Sequence, residues 1–255
     1  MLKFDDDGKR YLENGVDHGI LFVFNKNSKN YNAGVEWNGL TSVSQNPEGA
    51  ENEDVYADNM KYASLTSAET FGATINAYTY PDEFEACDGN AAANGMSIGQ
   101  QKRVPFAFAY RTNITNDQDM DGHILHIVYG AKASPSEREY STTTDSPEGL
   151  EMSWEVSTTP VSVTGTFNGE AVRPVAHAQI FSHDKSTGEA TTWYPEIEAL
   201  LNGGSSVAAV QTSAYAHYNA WLESKELSTV TAGTSVLPNA QYITDIITGA
   251  YNPQQ

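Results

Sequence analysis

Cysteine is nearly missing from this chain: Cys87 stands alone among 255 residues. Without a second thiol no intrachain disulfide forms, so a disulfide-stapled secreted domain is excluded and a reducing compartment fits. Long apolar runs are missing as well. Nowhere do the ~18 consecutive apolar residues that span a bilayer occur. The opening MLKFDDDGKRYLENG has no apolar run behind its basic residues, so neither a membrane segment nor a signal peptide is expected. Positive charge is scarce: 14 Lys and Arg stand against 33 Asp and Glu, a formal net charge of -19. Phosphate binding needs clustered Lys and Arg, so the balance argues against a surface that grips nucleic acid, but not against one that DNA slides past without sticking. Catalytic signatures are also lacking. There is no GxSxG, no glycine-rich phosphate loop with its Lys and no HExxH, and neither an enzyme nor a cofactor is expected.

What is present reads as a mainly β chain, 39% hydrophobic and able to build a sizeable core. Residues 1–15 are polar and are expected to form an N-terminal arm. GILFVF at 19–24 is apolar on both alternations, as a strand covered on both faces would be. A second strand is expected over 34–44, interrupted at Gly39, and an acidic loop over 46–58 holds Glu48, Glu51, Glu53, Asp54 and Asp58. Two short runs at 54–56 and 60–65, separated by Ala57-Asp58-Asn59, read as a tight hairpin. Residues 70–80 alternate, with Phe71, Ala73, Ile75 and Ala77 on one face. Pro81, Asp82 and Glu83 suit a helix start and Gly89 its end.

Residues 90–101 are expected to be a loop. Strands follow over 104–115 and 123–130, an antiparallel pair, and the alanines 107 and 109 suggest close approach by another element. Over 151–157, Met152, Trp154 and Val156 face inward, while Glu151, Ser153, Glu155 and Ser157 form a wet face. Further strands are expected at 161–166 and 172–181, and a helix at 193–201 with Gly203 beyond it. Residues 203–212 read as a linker, 213–223 as a capped helix with Tyr215, Tyr218, Trp221 and Leu222 on one side, and the remainder as a short helix or strand.

Four constellations invite a chemical reading. Asp117, Asp119, Asp121 and Gly122 match the front of an EF-hand loop, but position 12 is Val128, so an acidic hairpin loop is expected, with a weak cation site as the other reading. His123 and His126 lie three apart in a strand and face opposite sides; with His18, His177, His183 and His217 they read as structural, and no metal is expected. Glu151 and Glu155 share a strand face four residues apart, yet nothing raises one pKa or forms a sugar cleft, so a solvated face is preferred to a glycosidase pair. Cys87 has no nearby base and reads as a buried, inert thiol.

Several stretches resemble the major tail tube proteins of bacteriophages with long, non-contractile tails. They are YADN at 56–59 with Tyr62, AYTYPDEFEACDG at 77–89, FAFAYRTNITND at 106–117, HIVYGAKASPSEREYSTTTDSPE at 126–148 and SWEVSTTPV at 153–161. Their occurrence together and in order, across roughly residues 15–203, carries the resemblance. It implies an antiparallel β-sandwich or half-barrel with one or two short helices, organised as an N-terminal arm (1–15), a tube domain (16–203) and an extension (204–255) of unassigned role. It also implies six copies in a ring, rings stacked into a tube in the virion tail, and assembly in the host cytoplasm. Tail tip or baseplate, tape-measure and terminator proteins are the implied partners. By the same resemblance the acidic loop is a candidate ring-stacking element, a solvated loop being the other reading. The acidic loop or the face bearing Glu151 and Glu155 is a candidate lining for a lumen that repels DNA. The rival reading is a β-sandwich carbohydrate-binding or adhesion module, for which 14 Tyr and four Trp would supply stacking surfaces.

Overall fold

A computed structural model describes residues 10–116, 121–140, 142, 149–184 and 188–252. The chain is mainly antiparallel β with three short helices. Strand β1 (Leu12–Asn25) buries Leu21 on one face and Phe22 on the other, which is why its apolar run shows no alternation. Short strands β2 (Asn30–Tyr31) and β3 (Val35–Trp37) pair back onto it. Gly39, at φ +80°, turns the chain into β4 (Leu40–Gln45); a side chain there would collide with Thr79. Strands β5 (Asn52–Ala57) and β6 (Met60–Thr66) form a separate hairpin, and β7 (Gly72–Ala77) returns beside β4. A 3-10 turn, Asp82–Phe84, follows Pro81. Next come the hairpin β8 (Ala91–Ala93) and β9 (Met96–Ile98), the long pair β10 (Phe106–Thr115) and β11 (Asp121–Ala133), and β12 (Met152–Thr158). The two-residue strands β13 (Thr166–Phe167) and β14 (Glu170–Ala171) precede β15 (His177–Phe181), and helices α1 (Trp193–Asn202), α2 (Ala208–Ser224) and α3 (Ala240–Ile247) close the chain.

The main sheet runs β2-β1-β10-β11-β12-β7-β4, with β3 also on β1 and β15 also on β11. On the edge away from β10, strand β11 serves two partners: residues 124–128 pair with β15, and 131–133 with β12. Between them Gly130 sits at φ +61° against the carbonyl of Thr159, where a Cβ could not fit. The sheet curls so that β7 and β12 cover β1 and β10, enclosing Leu21, Trp37, Ile75, Phe84, Phe108 and Trp154. Its other side carries Phe22, Ala107, Ala109 and Ile127 against the helices, where Ile197, Leu200, Tyr218, Trp221 and Tyr242 fill the space that the two alanines leave. The result is a half-barrel with a helical layer on one side and a wet face, on β12, β7 and β4, on the other.

Several expectations need correction. Residues 90–101 form a hairpin, because Asn94 and Gly95 both take positive φ and supply a two-residue turn. The strand expected over 161–166 reduces to a bridge between Val161 and Val175. Helix α2 begins at Ala208, five residues before the expected cap, because Ala208, Ala209 and Gln211 are good helix formers; Ser213 bonds back to the Val210 carbonyl inside the helix. Apart from these corrections, residues 12–14 pair with β10, and helices α2 and α3, in the 204–255 stretch, share one core with the sheet.

The segment 81–103 is tied down by a carboxylate. Asp88, buried beside the inert and equally buried Cys87, accepts from Arg138 Nη2 at 2.7 Å and from Arg103 Nη1 at 3.3 Å, while Arg103 also reaches the Ala133 and Ser134 carbonyls. Asp88→Asn removes the charge between two cations and is expected to cost about 2 kcal/mol, measured as a shift in the urea midpoint. Burial pushes the Cys87 thiol up to about 12, so alkylation at neutral pH is expected only after unfolding.

Candidate assembly surface

The acidic stretch at 46–58 is only partly a loop: its second half, 52–57, is one strand of a hairpin arm that stands clear of the sheet. Its base is a pair of backbone bonds between Glu48 and Thr70, 2.9 and 2.8 Å, and its tip is Asp58-Asn59, both at positive φ. That is the geometry a two-residue hairpin turn requires. Register assigns the two faces. Asn52 with Thr66, Asp54 with Ser64 and Tyr56 with Lys61 share one side; Glu53 with Leu65, Val55 with Ala63 and Ala57 with Met60 share the other. The shift after Val55 leaves Tyr62 as the extra residue of a bulge.

The two faces differ in how well they are satisfied. On the polar side Asp54 accepts from Lys61 at 2.6 Å and Ser64 at 2.9 Å, which holds its carboxyl below the usual range, and Thr66 donates to Asn52 at 2.6 Å. The other side is bare, an apolar set of Val55, Ala57, Met60, Ala63 and Leu65 broken only by Glu53, with Leu65 61% and Met60 62% exposed. An isolated two-stranded ribbon is at best marginal in water, so such an arm is stabilised when its apolar face is covered.

The candidate carboxylates fall into two groups. Glu51, Glu53, Asp54 and Asp58 lie out along the arm, apart from the sheet. Glu48, at the arm base, shares a cleft of about 240 Å³ with Glu155, Asn46, Thr70, Ser134 and Ser157. Glu151 lies away from that cleft, accepting from the Thr41 hydroxyl. Around Glu155 the wet face is made of small polar side chains: Ser153 and Ser157 on β12, Thr74 and Asn76 on β7, Ser42 and Ser44 on β4. They bond among themselves, Asn76 to Ser42 at 2.9 Å and Asn46 to Thr74 at 2.9 Å. Lys132, opposite Ser157, is the cation at one end.

The roots of the arm reveal a cluster that spacing along the chain did not suggest. Gln45 precedes the arm and Phe71 follows it. Both rest on a pair of histidines, His126 of β11 and His177 of β15, whose Nδ1 and Nε2 are 3.3 Å apart. Burial pushes His126 below the usual histidine range; burial and the neighbouring His126 push His177 down to about 4. Both rings are therefore neutral in the fold and protonate more readily once it is lost. The pair's contribution to stability is expected to be full above pH 6.5 and to be lost as the pH drops toward 4, read as the difference in urea midpoints between wild type and His177→Gln at successive pH values.

The other histidine expectation holds: His123 and His126 face opposite sides, the former toward Asn113 and Tyr194, the latter against Tyr110. Asp117 and Asp119 lie outside the described residues, and Asp121 opens β11 opposite Thr115. Among the described residues no three His, Cys, Asp or Glu side chains converge as a metal site, and no helix is long and apolar enough to cross a membrane.

No protein-family model and no curated protein matches the chain. Among solved structures it is similar to a chain of the anti-feeding prophage baseplate, with 8% identity, TM-score 0.33, and 70% of this chain and 97% of that one covered. It is similar also to the SPP1 tail tube, with 11% identity, TM-score 0.33, and 78% and 89% covered. The third likeness is to Hcp1 from Salmonella typhimurium, with 11% identity, TM-score 0.26, and 69% and 100% covered.

Proposed function

We propose that the chain is a structural subunit that assembles with copies of itself into a phage tail tube. The observation that carries this reading is the hairpin arm, whose Asp54 and Asn52 side is bonded within the arm and whose largely apolar other side has no partner among the described residues. The sequence resemblance to tail tube proteins supports it. In this reading six copies close a ring, and the arm of each reaches a copy in the next ring. Such a contact joins two different surfaces and therefore grows a filament rather than a closed dimer. Tail tip, tape-measure and terminator proteins would bound its length, and the tube would be built in the host cytoplasm as part of the virion.

The face around Glu155, with Glu48 beside it, is the proposed lumen lining. DNA carries one negative charge per ~1.7 Å, and a surface of carboxylates, serines and amides with little positive charge repels it and offers no ion pair at which transit would stall. The mechanism is physical, and no bond is made or broken. Sedimentation velocity over a wide concentration range tests the reading. Mass that grows with concentration is the expected result; a persistent monomer that binds glycans would favour an adhesion module instead.

A further inference from the structure

We propose that the His126–His177 pair is an acid-sensitive latch that fixes the hairpin arm to the sheet and releases it on protonation. The observation is positional: the residue before the arm and the residue after it both dock on this pair. Gln45 places its amide nitrogen 3.3 Å from His126 Nδ1 and 2.8 Å from the Tyr110 hydroxyl, and the Phe71 ring stacks on His177 at 4.5 Å and 19°. Four rings thus form one file, Tyr110, His126, His177 and Phe71, running from the half-barrel to the arm root.

One arrangement of the protons satisfies these contacts together, with Gln45 as donor to His126. His126 Nδ1 receives the Gln45 amide and therefore carries no hydrogen; its Nε2 lies 3.0 Å from Thr112 Oγ1, which donates onward to Glu13 at 2.8 Å. His177 Nε2–H then donates to His126 Nδ1. Among the described residues the groups bonded to or stacked on the pair are Glu13 from β1, 3.5 Å from His126 Nε2, Tyr110 and Thr112 from β10, Gln45 from β4, and Phe71 just before β7. Glu13 is the one carboxylate among them, and it sits on the far side of His126, so it does not screen His177.

Adding a proton has two effects of the same sign. At His126 Nδ1 it turns an acceptor shared by two donors into a third donor, expelling Gln45 and His177. On His177 it puts a cation beside a second imidazole in a site where burial already disfavours charge. Either event loosens the Gln45 and Phe71 side-chain anchors and leaves the arm held by the Asn46–Gly72 and Glu48–Thr70 backbone bonds and the Asn46–Thr74 side-chain bond. Whatever the arm docks on, its orientation then becomes a function of pH.

The test uses the full chain, dispersed at low concentration, with a fluorophore on Tyr62→Cys; the buried Cys87 stays unlabelled. Fluorescence anisotropy reads arm mobility directly, and circular dichroism reports whether the sheet remains folded. The expected result is a fall in anisotropy between pH 6.5 and 4.5 with the circular dichroism unchanged. That transition should be lost in His126→Gln/His177→Gln and largely lost in His177→Gln alone, which carries the test if the double variant does not fold. An arm whose mobility is constant over this range, or a transition that His177→Gln leaves intact, would overturn the proposal. Neither outcome bears on whether the protein forms tubes, which sedimentation decides separately.

Discussion

Exchanging Val55 and Leu65 for aspartate is expected to abolish self-assembly while leaving the melting temperature of the dispersed subunit unchanged. The two side chains lie on the apolar face of the arm, 39% and 61% exposed, so the folded subunit loses little when they become polar. Substitutions of that kind usually fall within ±0.5 kcal/mol. In an assembly the same positions would bury two carboxylates without partners, at a cost of several kcal/mol per interface and a loss of affinity of more than about 100-fold. The separation of the two readouts is the point of the experiment. Sedimentation velocity should show only monomer, and thermal unfolding should superimpose on wild type. A variant that still assembles at wild-type concentrations would remove the arm from the interface.

Trp154→Ala is expected to destabilise the subunit by about 3–5 kcal/mol, the range for large aromatic truncations in a close-packed core. Trp154 is fully buried, its ring 5.6 Å from Trp37, 5.5 Å from Tyr80 and 5.2 Å from Phe84, where β12 closes the half-barrel over β1 and β10. Its indole N–H finds no acceptor among the described residues. Trp154→Phe therefore deletes an unsatisfied donor together with part of the ring, and the two effects oppose each other; a loss below about 1.5 kcal/mol is expected. Urea midpoints of the two variants, at equal slope, give the comparison. A Phe variant as damaged as the Ala variant would mean that the indole nitrogen is bonded after all.

Much of the half-barrel was legible in the chain because its strands are either wet on one side or covered on both. Met152, Trp154 and Val156 alternate with Ser153, Glu155 and Ser157 and lie as their period demands, and Leu21 and Phe22 enter different cores as the unbroken apolar run implies. The arm's turn was legible from Asp58 and Asn59, residue types that tolerate positive φ. The hairpin at 91–98 was missed because its flanks, three alanines on one side and Met-Ser-Ile on the other, hold a single β-branched residue and no aromatic of the kinds that usually mark strands, although Asn94-Gly95 signals the turn.

The arm as an amphipathic element was hidden for a different reason. Its apolar face emerges only when Val55 is set opposite Ala63 and Glu53 opposite Leu65, a register displaced by the bulge at Tyr62. The histidine cluster is less legible still: His126 and His177 are 51 positions apart and meet through the pairing of β11 with β15, while Gln45 and Phe71 join them from a different part of the sheet. No local spacing encodes that encounter. Glu48 and Glu155 share a cleft for the same reason, through the fold of β7 between β4 and β12.

The measurement that bears most directly on the self-assembly reading is negative-stain electron microscopy of the wild-type protein and of a variant whose arm, residues 49–69, is replaced by a short glycine linker. Wild type is expected to form hollow rings or tubes as concentration rises, and the arm-deleted protein to remain dispersed or to stop at single rings. Tubes of ordinary length from the arm-deleted protein, or dispersed globular particles from both at every concentration, would contradict the account.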